Sequence, residues 1–240
     1  MRSLKDIIKN RLMRAGIPRK GFAVIHTIMR RIFHWEYEKN MSLNYLNRFY
    51  TNTFAQGPLQ RDEAIFITGL LRVLRPKVCV EFGFLRGHSA FAILNAINED
   101  AYLHSYDINE TAALFAKKYF SRYPNFIFHL EDQTDIQSDT FKEGKIDFVL
   151  FDASHNAELN KATFKKIVPL LAENAMIAIH DTGLWNKKMM KKSHTVALSM
   201  TNHKEINGNI AHQIMEREFV NWIITEYPDF EVMHFHSLNV

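Results

Sequence analysis

Two short segments hold most of the side chains that could do chemistry, "FDASH" at 151–155 and "IHD" at 179–181. Each closes an apolar run of strand length. If the two runs are neighbouring parallel strands, about 4.8 Å apart, Asp152, His180 and Asp181 converge at one sheet edge. Three oxygen or nitrogen donors from two strand ends form an open metal site with positions left for substrate oxygens, and the imidazole widens the choice of ion beyond that of an all-oxygen site. The alternative is that Asp152 caps a helix near Glu158 while His180 and Asp181 pair with each other. His155 stands three residues beyond Asp152. A neutral imidazole near pH 7 suits it to taking a proton from a hydroxyl, unless it is a surface histidine at a loop tip.

A second cluster is "VEFGFLRGHSAF" at 80–91, in which Gly83 and Gly87 bracket a turn between an apolar run and a helix start. Glycines there permit backbone approach that a Cβ would block, and the helix presents unpaired N–H groups beginning near His88 and Ser89. The G-x-x-x-G spacing matches neither the dinucleotide fingerprint nor the phosphate loop. Such a turn can hold a nucleotide, an adenosyl group or a carboxylate. Asp107 closes the next apolar run, 20 residues after Gly87. Its carboxylate can accept both hydroxyls of a ribose, or it caps the helix of "INETAALF".

These positions matter only if the chain builds the elements that carry them. From Lys77 onward, "VCVEF", "YLHSYD", "NFIFHL", "KIDFVLFD" and "AMIAIHD" read as strands, and the segments between them have helical length and spacing. That alternation predicts an α/β fold with a doubly wound, mostly parallel sheet, which binds ligands outside the carboxyl ends of its strands. Upstream, Leu4, Ile8 and Leu12, then Phe22, Ile25, Met29 and Ile32, mark two amphipathic helices, and a further helix runs from about Leu59 to Leu74. Residues 1–58 therefore read as a helical cap or association segment and 59–240 as the α/β domain. After the fifth strand, "TGLWNKKMMKKSHT" reads as a polar lid, with Trp185 placed to line an acceptor pocket or merely follow the site. "IAHQIMEREFVNWIITEY" reads as a helix and Phe230 to Ser237 as a sixth strand. On that helix His212, Gln213 and Glu216 either reach the cavity or form a solvent-side pair.

The net charge is +4, yet residues 1–35 hold nine Lys or Arg against one Asp, so that segment is about twice as positive as the whole chain. It can steer a small anionic substrate, a lipid surface or a nucleic acid. The apolar runs are too short to span a bilayer, the start lacks a secretory pattern, and the single Cys79 lies in an apolar run. A cytoplasmic setting is expected.

The five strand-end motifs "VCVEFGFLRGHSAF", "YLHSYDI", "HLEDQTD", "IDFVLFDASH" and "AMIAIHD", in this order, resemble those of class I S-adenosylmethionine-dependent methyltransferases over roughly residues 60–236. The resemblance implies S-adenosylmethionine as cofactor. By it, the turn from Glu81 to Ser89, with Gly83, Phe84, Gly87 and His88, surrounds the methionine portion. Asp107 then binds the ribose, Asp132 and Gln133 lie at the adenine, and Asp152 borders the cofactor. The pair of strand ends at Asp152 and His180–Asp181 is similar to that of metal-dependent O-methyltransferases acting on catechols and on sugar hydroxyls. His180 stands where an Asp is usual, as in proteins of the cephalosporin-hydroxylase type. This implies a divalent metal, Mg or Mn, at Asp152, His180 and Asp181, with His155 as catalytic base, and a hydroxylated small molecule as acceptor, a sugar or another vicinal diol.

Two other functions fit parts of the sequence. A nucleic-acid methyltransferase suits the basic start, but "DASH" offers no aromatic clamp for an unstacked base. A non-catalytic binding protein on the same fold is disfavoured by the joint presence of Glu81, Asp107, Asp152, His155 and Asp181. Family sheets end in an antiparallel hairpin, whereas one final strand is visible here. Either the last strand is missing from this sequence, or another element, or a second copy in a homo-oligomer, covers the open edge.

Overall fold

In the computed structural model, the described residues are 55, 57, 59, 61–182 and 208–233, all within one compact unit, Asn52–Val240. The expected basic amino-terminal helices, the lysine-rich segment with Trp185, the side chains of His212 and Gln213, and residues 234–240 lie outside them.

Helix α1 (Arg61–Leu74) precedes five strands, β1 (Val78–Phe82), β2 (Tyr102–Tyr106), β3 (Phe126–His129), β4 (Ile146–Phe151) and β5 (Leu171–Ile179). Helices α2 (His88–Ala96), α3 (Glu110–Tyr119) and α4 (Ala157–Ile167) connect them, and α5 (Gly208–Glu226) follows. The strands are all parallel, in the order β3-β2-β1-β4-β5. This is the doubly wound sheet expected from the alternating runs.

The central strands explain the pattern. β1 is buried along its whole length, which is why "VCVEF" reads as a continuous apolar run broken only by Glu81. Phe82, Val149, Phe151, Phe164 and Phe219 join strands and helices in one core. Local capping sets where two helices begin. Asn109 starts α3 by accepting from the Thr111 N–H, and Asn156 starts α4 by accepting from Glu158 and Leu159. Neither Asp107 nor Asp152 is spent as a helix cap.

The sheet departs from the sequence reading at its far side. Residues Phe230 to Met233, the described part of the expected sixth strand, are not in a strand. They follow a turn after α5, and Phe230 packs against the core beside Phe164 and Tyr227. Among the described residues, β5 has no neighbour on its outer side.

Candidate active site

The strand order reverses between β1 and β4, and there the chain leaves a crevice at the carboxyl edge. Gly83 sits at its floor with φ 101°, and a Cβ on it would lie 2.1 Å from the Asp152 carbonyl oxygen. The close approach of the two strand ends therefore needs glycine. Gly87, at φ 70°, precedes α2, and a Cβ there would run into the rings of Phe120 and Phe84. A cavity of about 380 Å³ opens above this turn, lined at one end by Leu85, His88 and Asp107 and at the other by His155 and Asp181. That size falls in the ~300–1,000 Å³ range of small-molecule sites.

Around the turn, each expected binding residue has a definite place. Glu81 is fully buried and accepts hydrogen bonds from the Ser89 and Ser105 hydroxyls. Burial pushes its carboxyl up to about 7, against the pull of the two serines. Asp107 accepts from the Leu85 N–H at 2.8 Å and the Asn109 N–H at 2.9 Å. It thus ties the turn to the end of β2 and still has acceptor capacity toward the cavity. Asp132 accepts from the Thr134 N–H and hydroxyl and borders the cavity. Two residues have mainly internal partners. Phe84 is 1% exposed and packs with Phe120, Phe126 and Phe128, and Gln133 commits its amide nitrogen to Asn160 and Thr163.

At the other end, β4 and β5 bring Asp152, His155 and Asp181 together, with one ligand atom from each within 4.8 Å of the others. His155 Nε2 is 3.6 Å from Asp181 Oδ2, and its Nδ1 is 2.9 Å from Glu216 Oε1. Burial alone would lower the His155 ring, but the hydrogen bond and charge of Glu216, with Asp152 and Asp181, raise it. The backbone also marks this place. Leu85, His155 and Asp181 have φ of 50°, 51° and 55°, a region that non-glycine residues rarely occupy, and all three line the cavity.

His180, expected as a metal ligand, has a different environment. Its Nδ1 is 3.1 Å from Asp152 and 3.5 Å from Asp181, and its Nε2 is 3.2 Å from Glu63 on α1. Burial opposes a charge there, but the three carboxylates outweigh it and push the ring up to about 12. Among the described residues, Asp152, His155 and Asp181 form a grouping that could hold a cation, and His180 Nδ1 also lies against both carboxylates. Two carboxylates and an imidazole are chemically suited to a divalent ion such as Mg, Mn or Zn.

Sequence reading does not single out Glu63 or Asn160, and it leaves Glu216 between cavity and solvent. Glu63 lies on the helix before the first motif, and nothing local distinguishes it. Helical spacing could have flagged Asn160 and Glu216 as polar residues on inward faces.

Residues 80–182 match the family model of a methyltransferase domain. A flavonoid 3',5'-methyltransferase of Vitis vinifera is 28% identical over 131 residues, covering 52% of this chain and 54% of that protein. The chain thus spans about half the length of that curated relative. In fold, the chain is similar to an O-methyltransferase from Bacillus cereus in complex with SAH, with TM-score 0.54, 14% identity, and 80% of this chain and 85% of the other covered. It is likewise similar to the O-methyltransferase TomG from Streptomyces achromogenes in complex with SAM, with TM-score 0.52, 15% identity, and coverage of 76% and 75%.

Proposed function

We propose that this chain is a class I S-adenosylmethionine-dependent methyltransferase that moves a methyl group to a hydroxyl oxygen of a small organic acceptor, with His155 as the base. The observation that carries the reading is the arrangement of one cavity, with the glycine turn and Asp107 at one end and His155 with two carboxylates at the other. S-adenosylmethionine, when bound, would supply a sulfonium methyl carbon open to in-line attack by an oxygen nucleophile, the C–S bond breaking with S-adenosylhomocysteine as the leaving group. Asp107 holds the ribose hydroxyls, the turn from Glu81 to Ser89 cradles the amino-acid portion, and Asp132 borders the adenine. His155 accepts the acceptor's proton on Nε2, and positioning of both reactants supplies much of the acceleration. The O-methyltransferases among the similar proteins support an oxygen acceptor.

The acceptor class follows from the polar end of the cavity. Asp152 and Asp181 fit neighbouring hydroxyls, so a sugar or another vicinal diol is the proposed substrate. They would also hold a divalent cation, Mg or Mn, whose contribution is to acidify a bound hydroxyl. A panel of sugars and catechols assayed with methyl-labelled cofactor should give O-methylated diols and little product from isolated alcohols. Label transfer only to nitrogen or carbon acceptors would overturn the reading. Asp107→Ala should weaken SAH binding at least ~10-fold in calorimetry while preserving the fold, the loss expected of a hydrogen-bonded charged group.

The clustering of His155 with Asp152 and Asp181 favours a second role, in which His155 is itself the ion's third ligand. The same lone pair cannot do both. With His155→Ala, retained Mn binding and turnover slower by ~100-fold or more mark a base. Loss of Mn binding marks a ligand.

A further inference from the structure

Helix α5 contributes a buried carboxylate that the reaction above leaves without a task. Glu216 is 0% exposed, with its Oε1 2.9 Å from His155 Nδ1. Which atom donates is decided by the hydrogen bonds behind it. The Thr163 hydroxyl donates to the Leu159 carbonyl at 3.0 Å, so its oxygen is an acceptor toward Gln133. Gln133 presents its NH₂ both to that oxygen and to Asn160 Oδ1, each at 2.9 Å. Asn160 must then turn its own NH₂ to Glu216, where it reaches Oε1 at 3.2 Å and Oε2 at 3.1 Å. With its oxygens receiving these donors, Glu216 as a carboxylate can only accept from His155. The sequence of donors starts from a backbone carbonyl, which can only accept, and each step as far as Asn160 follows from the one before.

We infer that Glu216 is the positioning residue of His155. It holds the ring in the tautomer with the proton on Nδ1 and leaves the Nε2 lone pair at the Asp152–Asp181 end of the cavity. The inference rests on the proposed function, since a lone pair at Nε2 is what either a base or a ligand there requires. It also gives buried Asn160 and Gln133 a role. They fix the carboxylate that fixes the imidazole, as outer partners do around other functional histidines.

The ring's tautomer is read directly by long-range ¹⁵N–¹H NMR on the full chain with ¹⁵N-labelled histidine, without cofactor or acceptor, at a pH above the ring's titration. His155→Gln identifies the signal. The expected result is a protonated Nδ1 and a bare Nε2. Glu216→Leu, which removes the acceptor, should shift the ring toward Nε2–H and lower kcat ~10–100-fold at unchanged KM for the cofactor. Glu216→Gln, which keeps an acceptor oxygen, should restore the Nδ1–H form and most of the rate. A wild-type ring protonated on Nε2 overturns the inference, and this measurement does not depend on either variant folding. A Leu variant with the wild-type tautomer and rate overturns it as well. A chain with the expected tautomer that moves no methyl group to any hydroxyl overturns the function instead.

Discussion

Glu81 illustrates how a single residue ties the site to the stability of the sheet. Its folded-state pKa, about 7, lies above the ordinary 4.5 because the carboxyl is wholly buried beneath the turn. A raised acid binds its proton more tightly in the native state. The stabilisation is complete below about 4.5 and is lost as pH rises toward about 7, on the order of 3 kcal/mol across the window. His129 acts in the opposite sense. Burial, with the neighbouring His104, lowers its ring from 6.5 to about 4, so its contribution is present above 6.5 and lost as pH falls to about 4. The wild-type curve sums these two with other shifted groups, His155 and His180 among them, and the difference from Glu81→Gln isolates the first. Denaturant melts should show wild type losing stability relative to the Gln variant between about pH 4.5 and 7. A flat difference would refute the buried, high-pKa carboxyl. The glutamine can keep both serine contacts, because a hydroxyl can donate or accept.

At the scale of elements, the site is the meeting of β1, β2, β4, β5 and α5, and glycine sets the separation of β1 and β4. Gly83→Ala should destabilise the fold by at least ~2 kcal/mol, since its Cβ would overlap the Asp152 carbonyl at a φ that alanine resists. An urea midpoint equal to wild type would show that the strand ends can separate without cost. Gly69→Ala is the matched control, because a Cβ there meets nothing within 4 Å. It should hold or slightly raise stability, as glycine is a poor helix former within α1.

For the whole molecule, the proposal concerns the excess positive charge in residues 1–35. We propose that this segment meets an acidic surface, either an anionic acceptor or a lipid headgroup layer. Among the described residues, no helix is long and apolar enough to cross a membrane. Sedimentation with anionic vesicles should carry down the full chain at low salt and less of it at high salt. A chain lacking residues 1–35 should stay in the supernatant. Equal partitioning of both chains would remove the lipid surface and leave the acceptor. The 58/59 division between cap and α/β domain is likewise proposed.

Much of this protein is local information and was legible in the sequence. Strand-length apolar runs ending in Glu81–Phe82, Asp107, Asp152 and His180–Asp181 predict a parallel sheet with its chemistry at the carboxyl edge, because parallel strands are buried and their ends are not. The pairing of Gly83 with a tight turn and the nearness of "FDASH" to "IHD" follow from the same rule. What tertiary structure decided was the partner of each polar group. His180 faces Glu63 from a helix more than a hundred residues upstream while its other nitrogen lies against Asp152 and Asp181, so three carboxylates surround the ring. His155 meets Glu216 across 61 positions of sequence. A side chain's charge, tautomer and free lone pair are set by neighbours a few ångströms away, and in a doubly wound fold those neighbours come from elements remote in sequence.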